Sequence, residues 1–299
     1  MTINTLPNNR NKIYGGAWSI HDPASLEAMK SSNNPVDPAI FCSDYKDWIS
    51  KGKNFKGYQE FKHLDFSNGT TETFDKFYQT HHGHRLRLLK GEYFYHQLQA
   101  KLMFKNRFDW IGDVPLAEGD VVVMSCPFSD TGGVPVDFDS ILAKCDRLSV
   151  PVLLDMAYIS ISSINELDLS HPCIKIITSS LSKVFPVEHH RIGIRMRRGF
   201  EDDTMAAYNL NGYVNQHSIN LGHHMINTFS NNWLFEKYEE QQKQICDKMG
   251  LEASSCVIFG IDRNNHFSEY NRGSDTNRLC FSRSWDGRFS DENELRAIS

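Results

Sequence analysis

The stretch Ser180-Leu181-Ser182-Lys183, with Arg191 eight residues beyond the lysine, holds residue types that can do chemistry. A lysine amine is a nucleophile toward a carbonyl carbon. An arginine is a forked donor to an anion, and the serines add hydroxyls. By itself, Ser-x-Ser-Lys reads as a strand end with a solvated lysine. Three other groups stand in comparable positions. Asp155-Met156-Ala157-Tyr158 closes the preceding apolar run, Gly69-Thr70-Thr71-Glu72 opens a helical pattern after an earlier run, and Thr131-Gly132 follows the run at Val121. An acid, a phenol, an amine, a forked cation and a glycine-led helix start thus recur at the ends of apolar segments.

The elements that must position them are legible as alternating patterns. Val121-Val122-Val123-Met124 ends at Cys126-Pro127, Val150-Pro151-Val152-Leu153-Leu154 ends at Asp155, and Ile174-Lys175-Ile176-Ile177 ends at Thr178-Ser179-Ser180. Ile192-Gly193-Ile194-Arg195-Met196, His63-Leu64-Asp65-Phe66 and the segment at 85–89 are further strand candidates. Between them lie helical patterns, one through Phe74, Phe77 and Tyr78, another capped by Asp137 or Asp139 ahead of Ile141 and Leu142. Strands alternating with helices predict an α/β fold with a mostly parallel sheet flanked by helices. Ligands of such sheets bind beyond the C-terminal strand ends, which is where the polar residues gather.

Beyond residue 232 the pattern changes. A helix is predicted over Trp233–Met249, closed by Gly250. Strands are predicted at Cys256-Val257-Ile258-Phe259 and Arg278-Leu279-Cys280-Phe281, and a helix at 290–298. This predicts a large α/β domain over 36–232 and a small α+β domain from 1–35 plus 233–299.

The order and spacing of Asp-x-x-Tyr, Ser-x-Ser-Lys and Arg191, with the glycine-led helix before them, resemble the fold-type I pyridoxal-phosphate enzymes, the aspartate aminotransferase superfamily (class I/II). The chain is similar to a shortened member, and the resemblance runs from about Asp65 to Met196. It implies pyridoxal 5′-phosphate as cofactor, with the Lys183 amine joined to its aldehyde as a Schiff base. Asp155 would keep the pyridine nitrogen protonated, and Tyr158 would donate to the phenolic oxygen. Gly69, Thr70 and Thr71 would cradle the phosphate at a helix start, with Ser180, Ser182 and Arg191 beside them.

In the same resemblance Gly91-Glu92-Tyr93-Phe94-Tyr95 stands where an aromatic stacks on the pyridine ring, by Tyr93 or else Tyr95. Arg278 resembles the arginine that clamps a substrate α-carboxylate, with Arg272 and Arg283 as competitors nearby. Gly16, within Tyr14-Gly15-Gly16-Ala17-Trp18, would approach the substrate, and Tyr45 would reach a partner subunit's phosphate. The chain departs from the pattern at Ser129-Asp130-Thr131-Gly132, where the family usually reads Asn-Pro-Thr-Gly, so Ser129 would take the asparagine's place. It departs again at Gly91, where proline is common.

Composition excludes other classes. The chain has 299 residues, 40% hydrophobic and 23% charged, with a formal net charge of -5. These values suit a globular protein without the basic footprint of a nucleic-acid binder. The basic run Arg191, Arg195, Arg197 and Arg198 is followed by Glu201-Asp202-Asp203 and reads as local pairing. Seven scattered cysteines without a CxxC pair read as reduced thiols, which predicts a cytoplasmic protein and no zinc site. The histidines at 81, 82, 84, 189, 190, 223 and 224 lack a His-Glu-x-x-His arrangement, so no metal is expected. No secretory signal and no membrane span is visible.

The function that the resemblance implies is an aminotransferase, a homodimer moving an amino group between an amino acid and a 2-keto acid. The alternatives are a decarboxylase or lyase on the same cofactor, a non-catalytic cofactor-binding scaffold, and a sugar aminotransferase, which needs no α-carboxylate clamp.

Overall fold

A computed structural model describes residues 12, 14–31, 34–283 and 285. The helix expected at 290–298 lies outside the described residues. After α1 (Pro23–Ala28) and α2 (Pro38–Ser50), strand β1 (Asn54–Lys56) precedes the central sheet. That sheet is built from β2 (His63–Asn68), β3 (Arg85–Leu88), β4 (Phe108–Trp110), β5 (Asp120–Ser125), β6 (Val152–Asp155), β8 (Ile174–Ser180) and β9 (Ile192–Arg197). Interleaved with them are α3 (Thr70–Thr80), α4 (Phe94–Gln99), α5 (Phe138–Arg147) and β7 (Glu166–Asp168); β7 pairs in parallel with β1 outside the sheet. The C-terminal part holds α6 (Thr204–Leu210), α7 (Gln216–Thr228), α8 (Trp233–Met249), and β10 (Glu252–Ala253), β11 (Phe259–Asp262) and β12 (Asn277–Cys280).

The central sheet runs in the order β2-β9-β8-β6-β5-β3-β4. Only β9 is antiparallel to its neighbours, so six strands point one way. The apolar runs follow from this position: β5, β6 and β9 are buried along their whole length, covered on both faces. Side chains still alternate. Val121 and Val123 pack with Phe74, Phe77 and Tyr78 of α3 on one face. Val122 and Met124 join the larger core with Ile141 and Leu142 of α5 and Ile219 and Met225 of α7.

The basic residues of β9 are paired, as their acidic neighbours suggested. Arg195 and Arg197 both reach Asp65 of the adjacent β2, and Arg195 also holds Asp203. Helix α8 ends where its sequence says, on Gly250 in the left-handed region at φ 66°. Asp137 does precede α5, but with φ 58° and no side-chain cap; its carbonyl accepts from Ile141 N at 2.8 Å instead.

The strand expected at Cys256-Val257-Ile258-Phe259 begins only at Phe259. Cys256 is drawn into a bridge with Ser162, and Val257 N donates to Ile161 O, so the ladder with β12 starts later. The seven cysteines are buried and unpaired. No helix among the described residues is long and apolar enough to cross a membrane.

Candidate active site

The parallel strands deliver their C-terminal ends to one edge. There β2 runs into Gly69 and α3, β6 ends at Asp155, and β8 ends at Ser180 before the tight turn Leu181–Lys183. The antiparallel β9 places its beginning at the same edge, so Arg191 stands beside them. A cavity of about 300 Å³ opens here. Thr70, Thr71, Ser180, Ser182 and Arg191 line it, together with Asp155, Tyr158, Tyr93 and Ser129. Lys183, Gly16 and Arg278 complete the set expected from sequence, with Gly69 directly behind Arg191.

Lys183 Nζ donates to Ala17 O at 2.7 Å, so the N-terminal segment closes over the amine. Burial pushes its pKa down to about 8, because a desolvated ammonium loses its proton more readily. The turn presenting it is fixed by Ser180, whose Oγ accepts from Ser182 N at 3.1 Å and lies 3.0 Å from Ile192 O.

Gly69 explains how α3 meets Arg191. Its φ of 74° with ψ of 172° is a conformation essentially reserved for glycine. Arg191 Nη2 also lies 3.4 Å from Thr71 Oγ1. A helix start with two threonines, faced by a guanidinium, is a ready anion cradle.

Asp155 is 5% exposed, and its carboxylate accepts from Ala157 N at 3.0 Å. Burial first, then the charge of Glu92, raises its pKa to about 7. Glu92 was not singled out by sequence. It is fully buried and accepts from Tyr93 N at 2.8 Å, Ser125 N at 3.0 Å and Ser125 Oγ at 2.5 Å.

Tyr158 packs edge-on against Phe259, with ring centroids 5.3 Å apart, and burial raises its pKa while Arg278 and Arg272 oppose the shift. Of the two candidate aromatics, Tyr93 faces the cavity, while Tyr95 Oη donates to Asp75 Oδ1 on α3 at 2.5 Å. Ser129 is held from two sides: its Oγ accepts from Arg272 Nη2 at 3.2 Å and its carbonyl from Arg278 Nη1. Arg272 therefore joins the site beside Arg278 rather than replacing it.

Tyr45 needs correction. It is completely buried, with its hydroxyl 3.4 Å from Ser179 Oγ, because α2 packs that face onto the sheet, and so it cannot reach another subunit. His171 and His223 pair with Asp146 and Asp44.

Solved structures resemble the chain over nearly all its length. A C-S lyase from Staphylococcus hominis, described as PLP-bound, has a TM-score of 0.70 at 10% identity, covering 99% of this chain and 96% of that chain. A probable N-succinyldiaminopimelate aminotransferase from Thermus thermophilus has a TM-score of 0.63 at 14% identity, covering 96% and 94%. Tyrosine aminotransferase from Leishmania infantum has a TM-score of 0.63 at 12% identity, covering 90% and 88%. No protein-family model and no curated protein sequence matches the chain. With a seven-stranded sheet of six parallel strands and one antiparallel, and these neighbours, the chain has the fold of the fold-type I pyridoxal-phosphate-dependent enzymes.

Proposed function

We propose that this pocket holds pyridoxal 5′-phosphate attached to Lys183 and that the protein is an aminotransferase acting between an amino acid and a 2-keto acid. The observation that carries the reading is the convergence of the Lys183 amine, the buried Asp155 carboxyl and the Gly69–Arg191 cradle on one cavity. The residues suit the group. The cradle leaves no room for a side chain at Gly69, and Asp155 is buried on the cavity wall with the Ala157 N–H as its partner.

When bound, the cofactor serves as an electron sink for the substrate's Cα. Asp155 would hold the proton on its ring nitrogen, Tyr158 would donate to its phenolic oxygen, and Tyr93 would lie against its ring. Thr70, Thr71, Ser180, Ser182 and Arg191 would bind the phosphate. Lys183 Nζ, with its lowered pKa, suits both the attachment and the removal of a proton from the substrate's Cα. Arg278 would bind the α-carboxylate, and the segment at Gly16 would cover the substrate. Residues 36–232 would form the cofactor domain, and 1–35 with 233–299 a closing domain; Cys280 N donating to Tyr14 O supports that union of the two ends. A homodimer is part of the reading, and light scattering tests it.

Borohydride reduction of the PLP-treated protein followed by peptide mapping should find the cofactor on Lys183. A panel of amino acids with 2-keto acid acceptors should then yield a new amino acid. Attachment at another lysine overturns the site. Release of ammonia or sulfide without a new amino acid favours a lyase on the same scaffold, as the likeness to a C-S lyase allows.

A further inference from the structure

Three arginines line the cavity, and the chemistry above gives one of them, Arg272, no task. Arg272 lies in the loop between the turn Ser268–Tyr270 and β12. That loop is closed on itself: Asn271 Nδ2 donates to Ser274 O at 3.0 Å and to Thr276 O at 3.1 Å, while its Oδ1 accepts from Gly273 N at 2.8 Å. Asp130 fastens it to the segment after β5, accepting from Ser274 Oγ at 2.5 Å and Thr276 Oγ1 at 2.6 Å. Arg272 is thus delivered to the cavity by a loop with little freedom.

Its side chain is 8% exposed, and its donors are under-used. Nη2 meets Ser129 Oγ, but Nε lies 3.7 Å from Asp130 Oδ1, too far for a hydrogen bond. Among the described residues neither Arg272 Nε nor Asp130 Oδ1 has another hydrogen-bond partner. Arg278, more deeply buried, has the same deficit: Nη1 holds Ser129 O, Nε has no hydrogen-bond partner among the described residues, and the guanidinium sits 4.3 Å from the centre of the Phe259 ring.

Two buried guanidiniums therefore grip one serine, by its hydroxyl and by its carbonyl. The acid nearest Arg272 is Asp130, whose Oδ2 already serves two hydroxyls. Buried charge without a matched partner is costly. Glu92 is the other acid that acts on Arg272, beyond salt-bridge distance, yet burial and the neighbouring Arg278 push Arg272 down to about 10. An anion is what this arrangement lacks.

We propose that Arg272 and Arg278 together bind a single carboxylate, the α-carboxylate of the substrate, with Ser129 fixing their spacing, so that Arg272 is a substrate-binding residue. One carboxylate fits better than two separate anions, because both guanidiniums are anchored to atoms of the same residue and line the same cavity. The two oxygens of a carboxylate offer about four acceptor positions, enough for two forks. This rests on the amino-acid chemistry proposed above.

The test uses the PLP-treated protein and three probes followed by calorimetry: propionate, its uncharged counterpart propionamide, and succinate. Propionate should bind and propionamide should not. Arg272→Gln and Arg278→Gln should each weaken propionate roughly 10- to 100-fold, as expected for loss of a charge-assisted fork. Arg272→Lys should recover only part of the affinity, because it restores charge without the fork. If Arg272→Gln does not fold, Arg272→Lys alone decides, with propionate expected several-fold weaker at an unchanged unfolding midpoint. Unchanged propionate binding in the Arg272 variants overturns the proposal. So does an Arg272 variant that weakens succinate but spares propionate, since the two arginines would then serve separate anions. Visible absorption from attached PLP is read in the same samples. Its absence with carboxylate binding intact counts against the cofactor reading and leaves the two-arginine site standing.

Discussion

A methyl group on Gly69 would lie 2.5 Å from Nη2 of Arg191, so the turn into α3 and the guanidinium that faces it fit only because Gly69 has no side chain. Gly69→Ala meets two penalties, a backbone conformation that disfavours any Cβ and displacement of Arg191. The first alone costs about 1–3 kcal/mol. The affinity for PLP, read from the visible absorption of a titration, should fall by roughly tenfold or more, and an Arg191→Ala chain should show a similar loss. If Gly69→Ala binds PLP as tightly as the unaltered protein, the phosphate does not sit in this cradle.

Lys183 should capture PLP with an unusual pH dependence. Only the neutral amine attacks a carbonyl, and burial places this amine's pKa at about 8 rather than the usual value near 10.4. The attachment rate should rise about tenfold per pH unit below 8 and level off above it. Stopped-flow absorbance from pH 6 to 10 checks this. A rate that keeps climbing to pH 10 indicates an ordinary, solvated lysine.

Much of this arrangement was legible in the chain. The strands of the buried sheet announce themselves as continuous apolar runs, and their polar ends carry Asp155, Ser180, Lys183 and Gly69. What escaped was set by distant partners. Glu92 looks like an ordinary charged residue before Tyr93, and only its bonds to Ser125, on another strand, make it a buried acid behind Asp155. Arg272 sits in a polar loop, and its place depends on Ser129 and Asp130. The three-residue strands β1, β4 and β7 were missed because pairing, rather than apolar alternation, defines elements so short. Cys256 reads as strand by composition, yet the bridge to Ser162 takes it out of the ladder.

Asp155 should make the cofactor-free protein less stable as pH rises. Its carboxyl has a pKa of about 7 when folded, raised above the unfolded value near 3.9 by burial and by Glu92. The folded state therefore holds this proton more tightly. The stabilisation is fully present below about pH 4 and is lost as pH climbs through 7, at up to about 1.4 kcal/mol per unit. Asp155→Asn removes the titration. Urea midpoints of the two proteins should lie close together at pH 4, and the variant should be the more stable at pH 8. A gap that stays constant across that range would mean Asp155 titrates normally.

The arginines of β9 are expected to matter for stability. Asp65 Oδ2 accepts from Arg195 Nε at 2.9 Å and from Arg197 Nε at 3.1 Å, and all three side chains are buried between β2 and β9. Asp65→Asn removes the one carboxylate that Arg197 contacts within salt-bridge distance among the described residues, leaving that guanidinium its bond to Glu201 O. Stranding a buried charge costs about 3–5 kcal/mol, much more than losing an exposed ion pair. Asp203→Asn is the control. Arg195 keeps Asp65 in that variant, and an asparagine can still accept the Ala206 N–H at the start of α6, so its cost should be smaller. Urea denaturation should rank Asp65→Asn well below Asp203→Asn, and added salt should not close the gap, because screening acts weakly on pairs removed from water. Equal midpoints for the two variants would mean that the Asp65 carboxylate is not what compensates the arginines inside the sheet.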